Sequence, residues 1–358
     1  MFHRRERGAL LLASLLFALA APLGAQLTEE LGGHAAVLER EHPDLLDLLL
    51  RIERAHGLLF AGLAPEGEAV RASPDSLPTF GFELDLVERL TTLVSEEGRA
   101  EDVAAEAAGG FAVLGPRAAA IIERGHAFYR EVLGILSDRT VTNRAAELAA
   151  AVERYRSKPD VALPAVPKNM DVLYNHSHAL DFRTGYTDLD GVIWAGHWLY
   201  LAVSEPLTDF AEEDRRLAGI DTVTNRYFAK LSYGEPPEFF PSELPLAPSI
   251  APGMIFLSPE SAMIWDNLSM LQEVLADVLA SPDVKDVPAA IDEAVNWFMD
   301  PVNGITDQDT WEIMALRHGI FFQGGYPIAV MLESERNVGG HAAHLQGGGT
   351  LIMGGMPG

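Results

Sequence analysis

The stretch PDLLDLLLRIERAHGLLF, residues 43–60, decides the fold class. Its apolar residues recur every three or four positions, which is the period of an amphipathic helix, and Pro43 stands where a first turn tolerates proline. Asp44, Asp47, Arg51 and Arg54 make one polar stripe, and Leu45, Leu49, Ile52, His56 and Leu59 make the opposite, apolar one. Glu53 lies beside that apolar stripe, so Glu53 and His56 both point toward a core. A buried carboxylate is costly unless something neutralises it. The candidates are a metal ion, an arginine, or the Glu–His pair itself.

The same periodicity predicts helices over 82–96, 116–137 and 139–157, then over 171–182, 188–204, 207–230, 259–280, 287–299 and 308–322. Pro116 and Pro259 mark helix starts, the latter with Ser258 free to cap early amides. No run of alternating strand residues appears. The expected fold is all-α and multi-helix, in two helical halves. An N-terminal bundle over 26–157 is followed by a proline-containing linker, KPDVALPAVPK (158–168), and a C-terminal helical region over 169–335. A proline-rich connector (235–253) interrupts the second half, and a flexible Gly/His/Met tail occupies 336–358.

Residues 1–25 read as a cleaved secretory signal. Arg4, Arg5 and Arg7 precede a short apolar run, and Leu23-Gly24-Ala25 supplies small residues at a cleavage point. That run is shorter than the ~20 residues of a membrane span. The expected mature chain has no transmembrane segment and carries 23 basic and 51 acidic residues. Such an acidic surface excludes nucleic acid as a default partner and disfavours anionic lipid, while leaving cations open. Cysteine is absent, which removes thiolate metal sites, c-type haem attachment and cysteine nucleophiles. The 22 arginines against four lysines match a GC-rich genome, and the expected compartment is a periplasm or the exterior.

One motif recurs: LEREH (38–42), IERAH (52–56) and IERGH (122–126), each with Glu and His three residues apart. Glu-x-x-His on a helix offers a metal two ligands from one face. In the middle copy both residues face the core. In the last copy His126 sits at the edge of an apolar stripe, and Glu123 shares a face with Ala119, Ala127 and Arg130. The first copy ends at a helix terminus, about 21 Å from the second on a continuous helix, so the two cannot share an ion. The order IERAH, Glu83, IERGH loosely resembles the di-iron carboxylate bundles, which use two such motifs and two further glutamates. The chain departs from that class because its fourth glutamate would have to come from Glu29, Glu30 or Glu39, on a segment too short for a first helix. The leading ligand set is Glu53, His56, Glu83, Glu123 and His126, holding iron, with Glu83 as a bridge.

A second set lies in YNHSHALDFRTGYTDLDGVIWAGHW (174–198), where His176, His178 and His197, with His318, could line a pocket. The helix around VIWAGHWLYLAV is apolar on every side except His197, which places that histidine inside. The tail offers His341, His344, Met353 and Met356, a donor set that suits copper. DLDG (188–191) fails as an EF-hand, and the acids of DPVNGITDQDTWE (300–312) read as a helix start. No P-loop, dinucleotide fingerprint or nucleophile elbow is present. These observations point to an exported helical metal-binding protein, redox-active on a small molecule. The alternative is a non-catalytic helical protein that holds an apolar ligand or a partner between its halves, with the aromatics Trp194, Trp198, Tyr200, Trp265, Phe321 and Phe322 and an apolar cavity beneath 192–203.

Overall fold

The computed structural model describes residues 27, 30–73, 80–95, 109–209, 212–232 and 244–313. Among them, eight helices run for 13 residues or more: α1 (Pro43–Ala72), α2 (Phe80–Ser95), α3 (Pro116–Ser137), α4 (Arg144–Arg156), α5 (Thr187–Ala202), α6 (Glu213–Ser232), α7 (Pro259–Ala280) and α8 (Val287–Met299). The all-α expectation holds, and no described helix is long and apolar enough to cross a membrane. The starts of α1, α3 and α7 fall on the prolines that announced them, and Ser258 accepts from Ser261 N at the head of α7. Asn143 and Asp286 cap α4 and α8 in the same way, through Ala146 N and Ala289 N.

α7 organises the rest. Every residue from Ser261 to Ala280 is buried, because α1, α3, α8 and the short helix Asp181–Gly185 pack around it. α5 is buried from Leu189 to Ala202 and packs on α1, α2 and α6. One apolar cluster runs from Leu31 to Trp311, drawing on residues before and after 158–168 alike.

A helix without a solvent face must satisfy its polar side chains internally, and α7 does so by gripping connectors. Asn267 donates to Pro164 O and Val166 O at 3.0 and 2.8 Å and accepts from Lys168 N at 3.3 Å, which fixes the proline-bearing segment. Asp266 accepts from Ala247 N at 2.9 Å and from the Trp311 indole at 3.0 Å. Asp277 accepts from Leu180 N and Phe182 N at 3.2 and 2.8 Å.

That last grip corrects a prediction. The single helix expected over 171–182 is broken into Val172–Asn175 and Asp181–Gly185, with Leu180 at φ 74° between them. The Asp277 carboxylate supplies an acceptor from outside the segment, so these amides have an alternative to helical pairing. The predicted helix 207–230 is likewise divided, into Ser204–Asp209 and α6. The helix expected from 43 to 60 runs on through Pro65 to Ala72. Its last turn reaches the end of α7, where Arg71 donates to Leu279 O and Ser281 O at 2.9 and 3.2 Å and satisfies carbonyls that lack helical partners.

Glycine permits that approach, since a Cβ on Gly67 would lie 1.9 Å from Leu279 O. Gly67→Ala is therefore expected to cost about 2 kcal/mol or more, because backbone must move. Gly81→Ala, at a helical site where a Cβ meets nothing within 4 Å, should be neutral or stabilising by up to about 1 kcal/mol. Urea unfolding of the two variants checks the contrast, and equal midpoints would contradict the packing.

Candidate metal centre

His56 on α1, His126 on α3 and His197 on α5 meet in the middle of the molecule, 2%, 1% and 0% exposed. The His56 ring centroid lies 5.0 Å from that of His197, edge-on, and 5.9 Å from that of His126. Gly196 makes room for the first approach, since a Cβ there would sit 3.2 Å from His56 Nε2. Gln272 of α7 spans the other two. Its Oε1 lies 3.2 Å from His197 Nε2, and its Nε2 lies 3.5 Å from His126 Nε2. Phe111 and the stacked pair Tyr200–Trp265 enclose the group; His126 is 5.9 Å from Phe111 and 6.2 Å from each of the other two.

Burial keeps these imidazoles neutral. It lowers His126 to about 4, with Glu53 opposing and Arg130 reinforcing. His197 falls to about 3 through burial and His126, against the Gln272 hydrogen bond. His56 is held well below 6.5 by burial and by the other two rings. A neutral imidazole has one lone pair and one N–H. Yet among the described residues neither nitrogen of His56 has a hydrogen-bond partner, nor does Nδ1 of His197. Buried polar atoms rarely go unpaired, and each such atom costs about 1–3 kcal/mol.

Glu53 is compensated by an arginine, the second of the candidates its burial raised. Arg130 pairs with it, and the Tyr200 hydroxyl donates to it at 2.7 Å. Burial alone would raise the Glu53 carboxyl, but Arg130, His126 and Tyr200 outweigh it and lower the value. Glu83, the expected bridge, is engaged with backbone. It accepts from Asp188 N and Leu189 N at 2.7 and 3.3 Å and so caps the first turn of α5. Glu123 is half-buried on α3, and desolvation raises it. The first motif copy is superficial, with Glu39 exposed and His42 at a helix junction. As the side chains stand, no three His, Asp or Glu residues among those described are placed to hold a metal ion. Of the five predicted ligands, the rings of His56 and His126 come together.

The second predicted set is also divided. His197 joins the central cluster, whereas His176 and His178 line a separate cavity at the far end of α7, where they contact Asp277 and Ser281 at 3.1 Å. His318, Phe321, Phe322, His341, His344, Met353 and Met356 lie outside the described residues. Of the aromatics expected around a cavity, Trp265 packs against Tyr200 and Tyr129, with ring centroids 4.6 and 4.3 Å away. Gln272 was missed, because a lone amide on an apolar helix gives no signal of what it touches. In comparisons with protein-family models, characterised proteins and solved structures, nothing matches the chain.

A second buried polar group, which the motifs did not announce, lies along the same α5–α7 contact. Asp190, Glu273 and Asp277 face a single Arg183, which donates to Asp277 at 3.1 Å. Burial, with Asp277 adding repulsion and Arg183 opposing, pushes Asp190 up to about 8. Burial and Asp190 hold Glu273 well above 4.5, and burial raises Asp266 to about 8.

These carboxyls keep protons in the folded chain that the unfolded chain releases, so their contribution is lost as pH rises toward about 8. The three histidines act oppositely: their contribution is present above 6.5 and lost as pH falls toward about 4. The trends oppose each other in weakly acidic solution, and only the carboxyl trend survives above pH 6.5. Stability to urea in the presence of a chelator should therefore fall from about pH 6.5 to 8, and Asp190→Asn should flatten that fall. A rising profile over the same window would contradict the assignment.

Proposed function

We propose that this protein is exported and holds a transition-metal ion in its interior through His56, His126 and His197. The observation that carries the reading is His56, a fully buried imidazole with no hydrogen-bond partner for either nitrogen among the described residues. Its neighbours supply the remaining donors. With metal–nitrogen bonds of about 2.1 Å, two imidazoles sharing one ion have centroids about 5–6 Å apart, and both pairs that include His56 fall in that range, at 5.0 and 5.9 Å. All three rings are neutral, the form that coordinates.

An imidazole set suits iron, copper, zinc or nickel, and iron or copper would make the centre redox-active. The rings are almost wholly shielded from solvent, which favours holding an ion or passing electrons over turning over a bulky substrate. Gln272 Oε1 accepts the Nε2–H of His197, in the manner of outer groups that orient metal-ligating histidines, which leaves the His197 Nδ1 lone pair for an ion; the amide N–H that meets His126 Nε2 at 3.5 Å is a contact the ion would replace. The Glu53–Arg130 pair holds a compensated charge beside them. Export rests on the leader at residues 1–25.

The test is metal content and metal titration of the full chain after chelation. One equivalent of Cu²⁺ or Co²⁺ should bind. His56→Leu should abolish binding while leaving the fold intact, since it removes the two unpaired nitrogens and keeps an apolar volume. Glu53→Gln should retain the ion, because Glu53 is committed to Arg130. Undiminished binding by His56→Leu, or no stoichiometric binding by the parent, would overturn the assignment.

A further inference from the structure

A cavity of about 400 Å³ opens between residues 169–178 and the faces of α7 and α8. That volume lies within the range of about 300–1,000 Å³ typical of small-molecule sites. We propose that it binds a small organic cation, an ammonium carried on an apolar or aromatic body. This inference stands apart from the histidine centre and uses none of its residues.

The floor is apolar, formed by Val274 and Val278 of α7 with Phe298 and the ring of Trp297 on α8. The rim carries the carboxylates of Asp171 and Glu293 and the side chains of Asn169 and Asn175. Asn169 is tied to Asp171, accepting from its N at 2.9 Å and donating to its Oδ2 at 3.1 Å, which leaves Asp171 Oδ1 and the Glu293 carboxylate as the negative oxygens of the rim. His176 adds a neutral acceptor. Its Nε2 lies 3.1 Å from Asp277 Oδ2, an oxygen that also takes hydrogen bonds from Leu180 N and Arg183. With Nε2 as the donor to that carboxylate, Nδ1 is the acceptor nitrogen of the ring. The intramolecular contact at that nitrogen is a long one, 3.4 Å from His178 N.

Among the described residues, no lysine or arginine lines the cavity. The two nearest cations are spent elsewhere. Lys168, over the Trp297 ring at 4.9 Å, donates to the carbonyls of Trp297, Asp300 and Asn303, and Arg183 donates to Asp277 and Leu173 O. A negatively lined concavity on a chain with a net charge of −26 concentrates cations at its mouth. The acceptors are spread over a ligand-sized rim above an apolar floor, which fits an organic cation.

Isothermal titration of the full chain with phenethylamine, 2-phenylethanol and phenylacetate tests the proposal, since the three share a ring and differ in charge. Phenethylamine should bind one saturable site, 2-phenylethanol at least about tenfold more weakly, and phenylacetate not at all. Glu293→Gln and Asp171→Asn change exposed side chains and should each weaken phenethylamine about tenfold, with His56→Leu leaving it unchanged. The proposal is overturned by equal binding of the amine and the alcohol, by no saturable amine binding, or by amine binding that neither carboxylate variant alters.

Discussion

The structure depends on α7, a 22-residue helix with no face to solvent that nevertheless carries Asp266, Asn267, Gln272, Glu273 and Asp277. Polar side chains inside a protein cost free energy unless their hydrogen bonds are met. Three of these residues meet them by fixing connecting backbone: Asn267 the 164–168 segment, Asp266 the amide of Ala247 at the head of a short helix, and Asp277 the turn around Leu180. The connectors are thereby held at chosen places along the helix. α1, α3 and α5 then pack around it, and their inward-facing residues are brought together at the level of Gln272. The convergence of three histidines from distant parts of the chain follows from that arrangement.

Much of this was legible in the sequence wherever the signal was local. Prolines announced the starts of α1, α3 and α7, the last together with its Ser258 cap, because a fixed φ and a side-chain acceptor act within one turn. The inward direction of Glu53 and His56 was readable from helical period, as was the burial of His197 in an otherwise apolar helix. The partner of each was not readable, since partnership is set by packing between helices. Arg130 stands 77 residues from Glu53, and His197 is drawn to His56 through the gap that Gly196 leaves. For the same reason the sequence grouped His197 with its near neighbours His176 and His178, whereas the fold separates them. The break at Leu180 escaped notice because its cause, Asp277, lies 97 residues away.

The repeated [LI]-E-R-x-H motif resolves into unlike parts. The copy at 38–42 ends the helix Ala35–Glu41, with Glu39 exposed. The other two each contribute a histidine to the centre, while their glutamates serve other ends: Glu53 pairs with Arg130, and Glu123 stays at the half-buried edge of α3. A carboxylate and a histidine three residues apart share a helix face only approximately. With a core arginine within reach, the carboxylate takes the partner whose charge best offsets its burial. What remains is an imidazole-rich centre, of different chemistry from the carboxylate-dominated site that the spacing alone suggested.

The central claim is that three imidazoles from α1, α3 and α5 serve one ion. Pulsed electron paramagnetic resonance of the Cu²⁺-loaded full chain tests it most directly, because the remote nitrogen of each coordinated imidazole modulates the echo. The account predicts modulation from three imidazoles in the parent chain and from fewer in His197→Leu. A spectrum without imidazole modulation, or one unchanged in His197→Leu, would contradict it.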